Sequence, residues 1–219
     1  LGPRVLGRVA AAYRLLHRQW LWVGGSRALA ALEGACATEL KPGAQLLDAG
    51  CGPGDVSRRL SQIEPGCRLT MVDGAPQMLA EAADIAGERQ LADIRRLPFE
   101  SGRFDLVICC WVLEVLDDAD RAAALAELVR VLRPGGLLCY CVCSWPSPGW
   151  SRWLSAPMRW VIERFFCGRF LRPHQLFTLR QAPGEASRVI GFSGGLASLG
   201  HVRKREGRLP GEAGMAAAR

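Results

Sequence analysis

Residues 46–54 read Leu46-Leu47-Asp48-Ala49-Gly50-Cys51-Gly52-Pro53-Gly54. An apolar strand runs into an acidic side chain and then into three glycines at alternate positions. Glycine permits the left-handed backbone of a tight turn and lets the backbone approach a ligand closely. The stretch therefore predicts a buried strand that turns sharply into a helix, with a ligand site at the turn.

Two classes of ligand use such a turn, and the glycine spacing distinguishes them. A nicotinamide dinucleotide site has the pattern G-x-G-x-x-G, and a pyrophosphate lies at the helix N-terminus. Here Asp55 occupies the position of the third glycine, where a carboxylate would repel phosphate. S-adenosylmethionine (SAM) carries a sulfonium and an ammonium group and no phosphate, so acidic residues suit it. The loop predicts SAM as the ligand, and a glycine turn without a ligand is the alternative.

Two further carboxylates follow in the positions that a nucleoside would need. Arg68–Asp73 reads as a second buried strand that ends in an acid. Asp73 lies 25 positions after Asp48, close to the spacing at which an acid meets ribose hydroxyls in such folds. Asp93, followed by Ile94, offers an acid for an adenine amino group.

The rest of the strand pattern completes an alternating α/β order. Phe104–Trp111 reads as the fourth strand and Leu137–Val142 as the fifth. Arg133-Pro134-Gly135-Gly136 between them ends a helix. Val189–Phe192 and Leu196–Val202 read as a final pair of strands joined by a Gly-Gly turn.

This series of motifs resembles the class I SAM-dependent methyltransferase family, of the methyltransferase type 11 kind, over residues 40–143. The resemblance implies an α/β fold with a doubly wound, Rossmann-like, seven-stranded and mostly parallel sheet that ends in a reversed hairpin. It also implies an N-terminal helical cap and a lid between strand five and the last helix. The predicted division is a cap at 1–40, a SAM-binding core at 41–143, a lid with the final helix and hairpin at 144–205, and a disordered tail at 206–219.

The resemblance assigns roles to individual residues. Asp48 and the three loop glycines would hold the methionine end, Asp73 the ribose, and Asp93 with Ile94 the adenine. The strand-four residues Cys110 to Val112 would line the methyl side. The complete predicted cofactor set is Asp48, Ala49, Gly50, Cys51, Gly52, Gly54, Asp73, Gly74, Met78, Asp93, Ile94, Cys110, Trp111 and Val112.

Part of the chain resembles one subgroup of that family, the ubiquinone/menaquinone-biosynthesis C-methyltransferases. His17-Arg18-Gln19-Trp20 is similar to their His-Arg-x-Trp element, and Gly194–Leu199 is similar to their last hairpin. The chain departs from the subgroup at Glu114, where those enzymes usually carry a basic residue. A lipid amine N-methyltransferase would fit the same features.

Three side chains are candidates for a catalytic base or for orienting the acceptor: Tyr13, His17 and Glu114. A base is needed only where the methyl acceptor carries a proton to be lost. Each candidate also has an ordinary structural interpretation. His17 would lie on a helix surface, Tyr13 would pack in the core, and Glu114 would be a cap or a solvated acid.

The positive charge is concentrated in the C-terminal third. Residues 144–219 carry a net charge of +8, whereas residues 1–143 carry −1. Within 145–172, tryptophans alternate with arginines, which is typical of peripheral membrane contact at the inner membrane face. A lid packed on the domain is the second interpretation, and single-stranded nucleic acid is the third.

Cysteine usage and missing motifs narrow the function further. Most of the nine cysteines fall on predicted buried strands or in the glycine loop, which indicates free thiols and a reducing cytoplasm. The Cys139-x-Cys141-x-Cys143 spacing differs from that of structural zinc sites, so we expect no metal. The fourth strand is followed neither by the Asn/Asp-Pro-Pro-aromatic motif of the methyltransferases that modify a base amino group nor by the Pro-Cys nucleophile of those that methylate C5 of cytosine.

We therefore expect a SAM-dependent methyltransferase of a small lipophilic acceptor such as a quinol or lipid. The alternatives are an RNA or protein methyltransferase and a non-catalytic SAM-binding module.

Overall fold

The computed structural model describes residues 26–145, 156–161, 171, 185–192 and 197–205. The helices in these residues are α1 (Ser26–Ala37), α2 (Asp55–Ile63), α3 (Pro76–Glu81), α4 (Asp118–Val131) and α5 (Ala156–Val161). The strands are β1 (Gln45–Ala49), β2 (Arg68–Asp73), β3 (Glu88–Leu91), β4 (Phe104–Cys110), β5 (Leu132–Cys143), β6 (Glu185–Phe192) and β7 (Ala197–Arg203). A single 3₁₀ turn, Leu113–Val115, follows β4.

The strands form one sheet in the order β3-β2-β1-β4-β5-β7-β6. The first five in this order are paired in parallel, whereas β7 runs antiparallel to both β5 and β6. The predicted doubly wound sheet with a reversed terminal hairpin is confirmed. From β1 the chain builds outward through β2 and β3, and then returns to place β4 on the other side of β1.

The central strands β1, β2, β4 and β5 are buried on both faces, as a parallel sheet with helices on either side requires. Side chains of β5 alternate between the two faces. Cys139, Cys141 and Cys143 pack in the core cluster that contains α1, and Tyr140 packs with its neighbours in the cluster beneath α4. The eight cysteines in the described part of the chain are free thiols, and seven of them are buried as small apolar side chains.

Strand β5 begins at Leu132, five residues before the predicted start. Phe104 of β4 pairs with Leu132, but Leu106 pairs with Leu137, so β5 has three more residues than β4 across this step. The predicted turn at 133–136 is present as a bulge inside the strand, with Gly135 at φ +74°. A bulge of this kind bends the strand without ending its pairing, and for this reason a turn motif does not mark the strand boundary.

Several predicted segments lie wholly or partly outside the described residues. These are the N-terminal helix with Tyr13 and His17, the tail 206–219 and most of the segment 145–172. Within that segment α5 is described, and Trp160 is 63% exposed. In the described part of the chain, no helix has the length and apolarity that a membrane crossing requires.

Candidate functional site

The candidate site lies at the carboxyl ends of β1 and β4, where the strand order reverses. Connections leave the two strands toward opposite faces at such a point, which opens a crevice for a ligand. The loop 50–54 leaves β1 here, and residues 111–112 leave β4. The backbone N–H groups of Gly50 and Cys51 both donate to the carbonyl oxygen of Val72, at 2.7 and 2.9 Å. The glycine loop is therefore fixed to the end of β2 as well.

The loop glycines are required for different reasons. Gly50 has φ +79°, and a Cβ on it would lie 2.3 Å from Cγ2 of Val112. Gly52 has φ +53°, yet no atom lies within 4 Å of where its Cβ would be. The first glycine allows two loops to touch, and the second leaves space in which a ligand can approach the backbone.

Asp73 links the end of β2 to the glycine loop. Its Oδ2 accepts the backbone N–H of Gly52 and its Oδ1 accepts that of Ala75, both at 2.8 Å. Each carboxylate oxygen can accept a further hydrogen bond. Burial raises the pKa of Asp73, and the backbone N–H groups partly offset this effect. Two predicted cofactor residues follow it: Gly74 in the loop, and Met78, which is buried in α3.

Asp48 lies in β1 directly before the loop, and Ala49, the last residue of β1, is also fully buried. The Asp48 side chain is only 1% exposed, and the Ser57 hydroxyl on α2 donates to its Oδ2 at 2.6 Å. Burial raises the pKa of Asp48 to about 7, the hydrogen bonds from Ser57 oppose that rise, and the nearby Asp73 carboxylate adds to it. Asp48 thus stabilises the strand-to-helix turn and places a titratable carboxyl group beneath the glycine loop.

The raised pKa of Asp48 predicts that its contribution to stability is lost between about pH 4 and pH 7. A folded-state pKa of about 7, above the ordinary value of 3.8, means that the folded protein holds a proton that the unfolded chain has lost. This contribution to stability is complete below the unfolded pKa and is lost as the pH rises through 7. Between the two pKa values the free energy of unfolding falls by about 1.4 kcal/mol per pH unit.

Urea unfolding of the wild type, Asp48→Asn and Asp84→Asn at several pH values measures that slope. In Asp48→Asn the free energy of unfolding should fall with pH less steeply than in the wild type, by about the contribution of one proton. Asp84→Asn should keep the slope, because the pKa of exposed Asp84 is lowered by Arg58, and the group therefore titrates below the window. An unchanged slope in Asp48→Asn would contradict the prediction.

The predicted adenine acid, Asp93, lies after β3 and is exposed. Its carboxylate pairs with Arg95 at 2.6 Å, and Arg95 also pairs with Asp120 at 2.7 Å. The guanidinium of Arg95 holds the pKa of Asp93 below its usual range. The neighbouring Ile94 is 7% exposed and packs in the core cluster beneath α4. The assignment of both residues to adenine stays a prediction.

The end of β4 forms the second wall of the crevice. Cys110 ends the strand, and Trp111, which the sequence placed in the strand, leaves it with φ +58°. A left-handed backbone is uncommon for a bulky residue and is retained where surrounding contacts fix it. The Trp111 N–H donates to the carbonyl of Cys141 at 2.8 Å, and Val112 then lies against Gly50. The predicted residues 110–112 and 50–54 are therefore brought together.

The sequence interpretation of Glu114 as a cap or a solvated acid is wrong. The residue lies in the 3₁₀ turn, is 3% exposed, and its Oε1 accepts the N–H of Cys143 at 3.1 Å. Burial raises its pKa to about 7.

Sequence reasoning also missed Arg121, which is 5% exposed and donates to the carbonyls of Leu113 and Leu116. Arg121 thus fixes the 3₁₀ turn from α4.

A separate open groove lies at the opposite, amino-terminal edge of the sheet, where it is lined by residues such as Gln45, Thr70 and Gly87. Two of its three charged residues, Glu88 and Arg103, are paired with each other at 3.1 Å. The glycine loop, Asp48, Asp73 and Glu114 are all at the other edge. The crevice at the order reversal is therefore the better candidate for chemistry.

Comparison with known proteins points to the same region. Residues 47–140 match the protein family described as "Methyltransferase domain". A malonyl-[acyl-carrier protein] O-methyltransferase of Serratia marcescens is 46% identical over 105 residues, which cover 45% of this chain and 38% of that protein. A demethylmenaquinone methyltransferase of Thermus thermophilus is 39% identical over 110 residues, 48% of each protein. The chain thus spans about half or less of the length of these curated relatives.

A solved structure shows the same fold over most of the chain. A SAM-dependent methyltransferase from Thermotoga maritima superposes with a TM-score of 0.67 at 18% sequence identity. The match covers 92% of this chain and 99% of that one. The similarity in fold therefore extends beyond residues 47–140.

Proposed function

Because residues 47–140 match the methyltransferase-domain family, whose cofactor is SAM, we propose that this chain methylates a small lipophilic acceptor such as a quinol or lipid. The observation that carries the proposal is the crevice at the order reversal. There Asp73 fixes the glycine loop through the N–H of Gly52, and Asp48 lies beneath that loop.

The described residues fit the cofactor. Open space beside Gly52 allows close approach of a ligand to the backbone, and the oxygens of Asp73 keep acceptor capacity for ribose hydroxyls. A cationic ligand would favour the ionised form of the buried carboxyls, whose charge is otherwise costly. SAM supplies a methyl carbon activated by a sulfonium. The protein's part is to align the acceptor with that carbon and to exclude water, and positioning of this kind supplies much of a methyltransferase's rate.

Two observations favour a lipophilic acceptor. The matched demethylmenaquinone methyltransferase is named for an apolar quinone substrate. In this chain, the segment 145–172 is rich in tryptophan and arginine, and Trp160 in its described part is 63% exposed. We propose that this segment contacts the membrane surface from which the acceptor is drawn.

Transfer of a radioactive methyl group from SAM tests the proposal. The acceptors offered in parallel are a demethylated naphthoquinol in phosphatidylglycerol vesicles, the same quinol in detergent, malonyl-acyl carrier protein, and bulk RNA. We expect label in the quinol, and faster transfer from vesicles than from detergent. Label in RNA or in the carrier protein would identify a different acceptor class. Binding of S-adenosylhomocysteine without transfer to any acceptor would indicate a non-catalytic module.

A further inference from the structure

Glu114 is a buried acid in the wall of the crevice that the cofactor residues do not account for. It lies in the turn directly after β4, two residues beyond Val112, which contacts the loop glycine Gly50. Its Oε1 accepts the N–H of Cys143, the last residue of β5. The side chain therefore lies between the carboxyl ends of β4 and β5, at the edge of the sheet where the glycine loop is.

One oxygen of this carboxyl group has no partner. Oε2 of Glu114 is buried and accepts no hydrogen bond from the described residues. A buried polar atom without a hydrogen bond destabilises the folded state, and more so when it is charged. A residue that only tied β4 to β5 would need one acceptor, which an uncharged amide side chain supplies equally well. The second oxygen therefore keeps acceptor capacity that the tie between β4 and β5 does not use.

The groups around Glu114 do not neutralise it by direct pairing. Arg121 on α4 is the cation that acts on it, but its guanidinium donates to Leu113, Leu116 and Asp118 instead. From β5 and β4, the facing titratable groups are the thiols of Cys143 and Cys109. The Cys143 thiol hydrogen-bonds the Glu114 carboxyl group and lowers its pKa, and burial raises the pKa of both thiols. Glu114 accordingly changes between its protonated and ionised forms near neutral pH, since its own pKa is about 7.

We infer that Glu114 is the acceptor's proton partner: its Oε2 receives the O–H of a hydroxyl-bearing lipophilic acceptor and takes that proton during methyl transfer. This inference rests on the proposed function. The acceptor oxygen forms a bond to the methyl carbon of SAM, the carbon–sulfur bond breaks with its electron pair left on sulfur, and the proton moves to Oε2. A general base is most effective when its pKa lies near the working pH.

Binding of a simple probe pair tests this inference without turnover. 1-Naphthol presents a phenolic O–H, and 1-methoxynaphthalene has the same ring with the O–H blocked. Both are titrated at pH 6 and pH 8 into the protein saturated with S-adenosylhomocysteine. The ionised fraction of a group with a pKa near 7 rises about tenfold over this interval. We expect the preference of the wild type for naphthol to rise severalfold from pH 6 to pH 8.

Glu114→Gln keeps the size of the side chain and an acceptor for Cys143, and it removes the titration. Its preference for naphthol should be small and equal at the two pH values. Glu114→Asp should keep the pH dependence with weaker binding, which also covers the case in which the glutamine variant fails to fold. An equal rise in Glu114→Gln, or no preference in the wild type, would overturn the inference. Failure of the wild type to bind S-adenosylhomocysteine would instead overturn the proposed function.

Discussion

Replacing Asp73 with alanine is expected to weaken binding of S-adenosylhomocysteine by a factor of about 100 or more. This carboxylate receives the N–H groups of Gly52 and Ala75, and its remaining acceptor capacity is the proposed ribose site. The substitution removes the ribose-binding oxygens together with the group that holds the glycine loop to β2. Hydrogen bonds to charged groups contribute about 1.5–3 kcal/mol each, so two lost ribose bonds account for that factor.

Calorimetric titration measures the effect, with Asp84→Ala as the matched control. Asp84 is an exposed aspartate that pairs with Arg58 at 2.8 Å, and its loss should leave the affinity unchanged. Asp73→Asn keeps one acceptor oxygen and should bind with intermediate affinity. Thermal unfolding of each variant separates loss of the site from loss of the fold. An affinity of Asp73→Ala within threefold of the wild type would mean that the ribose is held elsewhere.

Gly50→Ala is expected to destabilise the protein by roughly 2–5 kcal/mol and to abolish cofactor binding. The left-handed backbone at φ +79° costs about 1–2 kcal/mol for a residue with a Cβ. That Cβ would also lie 2.3 Å from Val112 Cγ2, and such overpacking typically costs about 1–3 kcal/mol more. Relief of the clash would push apart the two loops that form the crevice.

The chain provides a control that separates these two costs. Gly43 has nearly the same backbone, with φ +81°, but no atom lies within 4 Å of where its Cβ would be. Gly43→Ala should therefore show the backbone cost alone and retain cofactor binding. Adding Val112→Ala to Gly50→Ala should restore part of the stability. Equal unfolding free energies for Gly43→Ala and Gly50→Ala would show that the contact with Val112 does not matter.

The residues whose place at the carboxyl edge of the sheet the sequence predicts belong to local patterns. The glycine loop and Asp73 each follow an apolar strand, so their place at the carboxyl edge follows from the strand alone. β3 carried no such pattern, because it is an edge strand with three polar side chains out of four. Its presence depends on pairing with β2 and could not be read from its own composition.

The misread residues depend on contacts between distant parts of the chain. For Glu114, a candidate base or orienting residue, the sequence offers a cap or a solvated acid as the structural interpretation. Its burial arises from the end of β5 and from Arg121 on α4, which meet only in the folded sheet. The contact between Val112 and Gly50 joins loops that are 60 or more positions apart. Such long-range contacts determine which side chains face the crevice.

The reversal of strand order also constrains how the chain folds. The N–H of Gln45 in β1 donates to Asp105 in β4 at 2.8 Å across 60 positions, whereas the same residue pairs with Arg68 in β2. Closing the longer loop costs more conformational entropy, and distant pairings slow folding. We expect the amides that join β1 to β4 to become protected from hydrogen exchange later in refolding than those that join β1 to β2. Simultaneous protection would contradict this order. The crevice is then among the last features to form, and a ligand bound there stabilises only the completed sheet.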